Sequence, residues 1–285
     1  MLDRQQLQDI RDGRSTPEGL ASIVIPHYRT EDLARLCLRA IRRLTDSPYE
    51  VIVVDNNSAD ASLEYLRQVP WIRLIERGPQ AEANAVHAHA SAMDIGTAAA
   101  RGQWLVSFHT DTIARRDGWL GALLSRLRAS PRAAALGSDK IDTDAAWYRA
   151  MKRLWDTHRM KTFFRRAAGL PPDPKLVDAP WYPRSFCALY RLDLVRSLGL
   201  NWQVAPHHPA GELLYRGLIG AGYEGIQLPG AEMHRYVDHV SHATALVGRG
   251  GLNHWRGNMK VRRALARVMG SGLAQELMSD DSLDR

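Results

Sequence analysis

Cysteine is scarce: Cys37 and Cys187 are the only two among 285 residues, and both sit in apolar settings, Arg-Leu-Cys37-Leu and Ser-Phe-Cys187-Ala-Leu. Two such thiols exclude a disulfide-stapled scaffold and a cysteine-based metal cluster, and they suit a reducing compartment. No stretch reaches the ~18 uncharged apolar residues that a membrane-spanning helix needs. The start, Met1-Leu2-Asp3-Arg4-Gln5-Gln6, is polar where a secretory signal would be apolar. The expectation is a cytoplasmic chain, with contact at the inner membrane surface left open. Zinc-finger spacings, an aromatic RNP-type strand and basic-zipper heptads are also missing, so nucleic acid is not among the expected partners. Nor does a glycine-rich phosphate loop follow the first apolar run, which counts against a nucleotidyltransferase.

What is present is an excess of positive charge. A formal net charge of +7 favours an anionic partner without choosing among a nucleoside diphosphate, a polyanion and acidic lipid. Short, mainly apolar β-type runs alternate with helical periodicity. Ser22–Pro26, Glu50–Val54, Ile72–Ile75 and Trp104–Phe108 read as strands. Helices are expected from a Thr30 cap through Arg43, over Leu63–Gln68, within Ala81–Ala100 and over Gly118–Ala129. Strands apolar on both faces call for a mainly parallel α/β sheet covered by helices on both sides. In such sheets ligands bind beyond the carboxyl ends of the strands. Three polar clusters lie there: Pro26-His27-Tyr28-Arg29, Asp55-Asn56-Asn57-Ser58 and His109-Thr110-Asp111. The second half is less regular, with a strand over Ser185–Tyr190, a helix after Gly211 and a C-terminal helix Met259–Met269.

Ser22-Ile23-Val24-Ile25-Pro26-His27-Tyr28 resembles the opening strand and loop of the family-2 glycosyltransferases. Val53-Val54-Asp55-Asn56-Asn57-Ser58-Ala59-Asp60 is similar to that family's second-strand signature. Ala98 to Trp104, His109-Thr110-Asp111 in the place of an Asp-x-Asp motif, and Gly222-Tyr223 follow in the family's order over residues 21 to 245. The resemblance implies a GT-A fold: a mainly parallel, Rossmann-like sheet flanked by helices, with a less regular acceptor-binding second half. The expected organisation is a polar extension (1–20), a nucleotide-sugar-binding half (21–130), an acceptor-binding half of the same domain (131–247) and a C-terminal loop and basic helix (248–285).

The same resemblance implies site residues. Pro26, His27, Tyr28 and Asp55 would line the base and ribose pocket; read alone, Asp55 could equally open an Asx-turn. Asp111 would ligate a divalent metal, Mn2+ or Mg2+, that bridges diphosphate oxygens, with Thr110 and His109 beside it. His109 departs from the family, an imidazole standing where an aspartate is usual. Among His234, His239 and His242, the spacing of His239 to Thr244 ranks His239 first as second ligand. Glu212 is the candidate base; its other reading is a first-turn glutamate favoured by the helix dipole.

The implied activity is metal-dependent, inverting transfer of a hexose from a nucleotide-sugar, a UDP-sugar by expectation. The acceptor hydroxyl would belong to a saccharide, a lipid-linked molecule or a small molecule, in polysaccharide or glycoconjugate synthesis. The basic stretch Trp147–Arg166 reads first as an amphipathic helix on the core with a solvated basic face, and otherwise as a peripheral membrane contact. His109, and Leu213 where an aspartate is usual, leave a catalytically silent nucleotide-binding or scaffold protein as the alternative.

Overall fold

Seven strands form the central sheet of the computed structural model, in the order β3 (Ile72–Glu76), β2 (Tyr49–Asp55), β1 (Ala21–His27), β4 (Trp104–Phe108), β7 (Cys187–Arg191), β6 (Ala133–Ser138) and β8 (Glu224–Leu228). The structure describes residues 2–79, 84–139, 167–169, 181–205, 208–241, 243–248 and 255–285. The basic stretch 147–166, His207 and His242 therefore lie outside the described residues. The chain divides into two units, Met1–Ile141 with Tyr182–Arg285, and Asp142–Trp181; every element named below belongs to the first.

After α1 (Arg4–Asp12), capped by Asp3 in a capping box with Gln6, the chain enters β1 (Ala21–His27). It continues as α2 (Glu31–Leu44), β2 (Tyr49–Asp55), α3 (Ala61–Arg67), β3 (Ile72–Glu76), α4 (Ala85–Ala99) and β4 (Trp104–Phe108). β1, β2, β3 and β4 are mutually parallel, in a register that sets His27 opposite Asp55 and Asp55 opposite Glu76. The continuous apolar runs follow from this arrangement, because helices cover both faces of the sheet. Ile23, Ile25, Val51 and Val53 share one core cluster with Leu33, Leu36, Cys37 and Ile41 of α2. On α4, a Cβ at Gly96 would stand 2.2 Å from Val24 Cγ1, so only glycine lets that helix approach β1 this closely.

The second half supplies β6 (Ala133–Ser138), β7 (Cys187–Arg191) and β8 (Glu224–Leu228), with α5 (Trp119–Arg128) ahead of β6 and α6 (Leu192–Ser197) and α7 (Glu212–Gly220) between β7 and β8. β7 runs antiparallel to both β4 and β6, while β6 and β8 are parallel. A separate two-stranded sheet joins β5 (Thr112–Ala114) to β9 (Val237–His239). The remaining helices are α8 (Gly230–Met233), α9 (Ala243–Gly248), α10 (Trp255–Met269) and α11 (Gly272–Ser279), followed by a 3-10 turn at Asp281–Asp284.

The C-terminal turn is tied to α2 by one fully buried cation. Arg39 donates to Asp284, to Asp281 and to the carbonyls of Leu277 and Met278. Both cysteines are free and buried, and burial pushes their thiols well above the ordinary range. Among the described residues no helix is long and apolar enough to cross a membrane.

Candidate active site

The order β2-β1-β4 makes a topological switch point: the chain leaves β1 toward β2 on one side and returns to β4 on the other. Loops leaving strand ends there diverge and open a crevice. A cavity of about 1230 Å³ occupies this place, walled by all three polar clusters. Pro26, His27, Tyr28 and Arg29 come from the end of β1, Asn56 and Asn57 from β2, and His109, Thr110 and Asp111 from β4. The expected convergence of three distant loops is therefore realised.

Asp111 and His239 are brought together by the small sheet. Thr112 of β5 pairs with His239 of β9, and Val240 donates its amide to the Asp111 carbonyl at 2.9 Å. His239 Nε2 then lies 3.4 Å from Asp111 Oδ1, and His109 Nδ1 lies 3.7 Å from the same oxygen. Asp111 is 3% exposed, and its Oδ1 has no hydrogen-bond partner. One donor atom from each of these three residues lies within 4.8 Å of the others. Burial pushes the Asp111 carboxyl up, but the two imidazoles outweigh it and hold the group below the usual carboxylate value. Burial drives His109 down to about 3, with His89 and His239 adding to the effect and Asp111 opposing it. A neutral imidazole beside an ionised, unpartnered carboxylate oxygen is a donor set suited to a divalent cation.

Of the other two candidate histidines, His234 is turned elsewhere, against Asp238 at 3.1 Å and Arg115. No motif or spacing singles out His89 of α4. Its ring packs edge-on to His109 at 4.9 Å in the cavity wall, and burial lowers its pKa to about 4.

Asp55 meets a geometry different from a pocket-lining carboxylate. It is fully buried; Oδ2 accepts the Ser58 amide at 2.9 Å, and Oδ1 faces Ser58 Oγ and His27 Nδ1. Its neighbours Asn56 and Asn57 reach the cavity in its place. Ser58 in turn accepts the Arg29 amide, joining the β1 and β2 loops.

Glu212 opens α7 behind Gly211, whose φ of 87° and contact with Trp202 exclude a side chain there. Glu212 is 3% exposed, and its Oε1 takes His208 Nδ1 at 3.1 Å and Arg216 Nη2 at 2.6 Å. Pro209 and Ala210 just before it line the cavity. A second carboxylate, Asp139 at the end of β6, lines the cavity directly and accepts Gln227 Nε2 at 3.0 Å. Arg29, Arg184 and Tyr182 complete the wall, which sets two arginines beside the two aspartates, Asp111 and Asp139. Neither Asp139 nor Arg184 carries a local motif; only the sheet order brings them here.

A family model described as glycosyl transferase family 2 matches residues 22–178. No curated protein matches the chain in sequence. Among solved structures, the fold is similar to that of a mannosyltransferase, PcManGT, from Pyrobaculum calidifontis in complex with GDP-Man and Mn2+. That match has 17% identity and a TM-score of 0.52, covering 93% of this chain and 79% of the other. A mycobacterial protein is 16% identical, with a TM-score of 0.51 over 92% of this chain and 76% of its own. Residues 1–349 of S. aureus TarS are 12% identical, with a TM-score of 0.50 over 92% and 75%. At these identities the structural likeness is one of fold, the GT-A arrangement of sheet and flanking helices. With more than half its length matched by the family model, the chain belongs to glycosyl transferase family 2.

Proposed function

We propose that this glycosyltransferase moves a hexose from a nucleoside-diphosphate sugar, best read as a UDP-sugar, to an acceptor hydroxyl with inversion at the anomeric carbon. The observation that carries the reading is the unpartnered, buried Oδ1 of Asp111 beside His239, in the wall of the switch-point cavity. An ionised carboxylate oxygen without a donor is costly when buried, and a cation relieves that cost. The residues present fit a divalent metal, with Asp111 and His239 holding it. When bound, such an ion neutralises the diphosphate that leaves. The complex of the P. calidifontis enzyme with GDP-Man and Mn2+ supports the cofactor class for this fold.

In the proposed transfer the acceptor oxygen forms its bond to the anomeric carbon as the bond to the diphosphate oxygen breaks. The bonding pair leaves with the nucleoside diphosphate, and the hydroxyl proton passes to a protein carboxylate. Arg29 and Arg184 supply positive charge on the cavity wall toward an anionic donor. Pro26, His27 and Tyr28, with Asn56 and Asn57, form the side of the pocket assigned to the base and ribose, and Asp55 fixes that loop from beneath. Glu212 is the assigned base, held in place by Arg216 and His208. Asp139 is a second reading for that role, favoured by its place in the cavity wall.

Calorimetric titration with UDP, GDP and dTDP, with and without Mn2+, on wild type and Asp111→Ala tests the proposal. Metal-dependent binding of one nucleotide that the substitution abolishes is the expected result. No binding under any condition would sink it and favour a catalytically silent protein on the same fold.

A further inference from the structure

The two histidines of the cluster are held alike. His239 Nδ1 sits 3.3 Å from Ser241 Oγ, while its Nε2 faces Asp111 Oδ1 at 3.4 Å. His109 Nε2 sits 3.1 Å from Ser185 Oγ, while its Nδ1 faces the same oxygen at 3.7 Å. In each ring the far nitrogen rests on a serine hydroxyl and the near nitrogen points to one shared, unpartnered carboxylate oxygen. Metal-binding imidazoles are characteristically oriented this way, through a hydrogen bond on the nitrogen that does not bind. Ser185 is itself fixed, its carbonyl accepting Ser107 Oγ at 2.6 Å, and the His239 ring stacks on Phe186 at 4.5 Å with planes 9° apart.

From this we infer that His109 is a third protein ligand, so that two imidazoles and one carboxylate form a site selective for a first-row transition cation over Mg2+. The inference rests on the metal reading above and adds the donor set and its consequence. A carboxylate-poor site leaves much of the coordination to phosphates and water, which suits Mg2+. Two imidazoles shift the preference toward ions that accept nitrogen, and three protein ligands retain the ion without waiting for the donor's diphosphate. Mn2+ should therefore bind the protein alone, and Mg2+ should bind only weakly until nucleotide is added.

The test uses the full chain, stripped of metal with a chelator. Calorimetry with MnCl2 and MgCl2, without nucleotide, should give tight Mn2+ and weak Mg2+ binding for wild type. Pulsed electron paramagnetic resonance of bound Mn2+ should count two directly coordinated nitrogens. For His109→Ala, Mn2+ binding should weaken at least ~10-fold and the count fall to one. His109→Asp should narrow the gap between Mn2+ and Mg2+. A count of one nitrogen in wild type, or unchanged Mn2+ affinity in a folded His109→Ala, overturns the third-ligand assignment. The wild-type count stands even if a variant misfolds. If Asp111→Ala keeps full Mn2+ affinity, the underlying metal reading fails instead, so the two failures are told apart.

Discussion

His27 Nδ1 lies 2.7 Å from Asp55 Oδ1, with the two side chains 0% and 1% exposed. This pair joins the ends of two parallel strands beneath the cavity. The adjoining turns carry Arg29, Asn57 and Ala59 at positive φ, a conformation that costs non-glycine residues about 1 kcal/mol or more each. The bonds of Asp55 to Ser58 and His27 hold them there. Asp55→Asn replaces an acceptor oxygen with a donor amide facing donors, so a loss of about 2 to 4 kcal/mol is expected in denaturant unfolding at neutral pH. Nucleotide affinity should fall with it, because Asn56 and Asn57 lose their support.

The pH dependence of that loss has a definite sign. Burial pushes the Asp55 carboxyl up, but His27 and the two Ser58 hydrogen bonds outweigh it, leaving it below its ordinary 3.8. A depressed carboxyl contributes stability that is present above its unfolded value and lost as pH falls through its folded value. The stability gap between wild type and Asp55→Asn should therefore be constant from pH 7 to about 5 and shrink below 3.8. A gap that widens on acidification would contradict the assignment.

Asp111 should trade stability for activity. Without metal its Oδ1 is an unsatisfied buried acceptor, so Asp111→Asn is expected to match or exceed wild type in melting temperature under chelation. Its kcat/KM should fall ~100-fold or more, since a metal-bridged leaving group is worth several kcal/mol at the transition state. Added Mn2+ should raise the melting temperature of wild type alone.

The parallel half of the sheet was legible because its strands are buried on both faces. After Ser22 and Glu50, the runs Ile23–Pro26 and Val51–Val54 have no polar positions to blur the pattern until His27 and Asp55 end them. Thr30 was correctly read as the residue before α2, but its hydroxyl makes no cap bond and meets Thr110 Oγ at 3.3 Å instead. β6 escaped notice because Ala133-Ala134-Ala135 has little β-propensity; only pairing with β7 and β8 makes it a strand. The same holds at the site. Family spacing singles out His239, yet the three-residue strand that sets it against Asp111 exists only through pairing with Thr112–Ala114, over 120 residues earlier in the chain. Asp139, His89 and Arg184 belong to the cavity by tertiary placement alone, which leaves no periodic trace.

The two carboxylate readings make opposite kinetic predictions. If Glu212 takes the proton, Glu212→Gln should lower kcat by ~100-fold or more with little change in donor KM, and Asp139→Asn should be much milder. The amide at 212 keeps the size of the side chain but loses charge toward Arg216 and His208, so a melting curve must accompany the rates. If Asp139→Asn takes the large loss and Glu212→Gln mainly loses stability, Glu212 is an anchor for α7 and Asp139 the base.

Arg39 separates folding from chemistry. It is fully buried on α2, whereas its partners Asp281 and Asp284, and the Leu277 and Met278 carbonyls, belong to the C-terminal end of the chain. The Asp281 carboxylate is 82% exposed and contributes little; the cost of losing Arg39 falls on Asp284 and the two carbonyls, left without their donor. Arg39→Met should therefore lower stability by about 3 kcal/mol, seen as a shifted urea midpoint. Because the Arg39 hydrogen bonds among the described residues reach Asp281, Asp284, Leu277 and Met278 and none of the cavity wall, Mn2+ affinity and kcat at low temperature should be unchanged. Deleting residues 280–285 should also lower stability, and adding Arg39→Met to that deletion should cost less than the sum of the two changes, since both remove the contacts to Asp281 and Asp284. Full additivity would mean that the guanidinium stabilises α2 by another route.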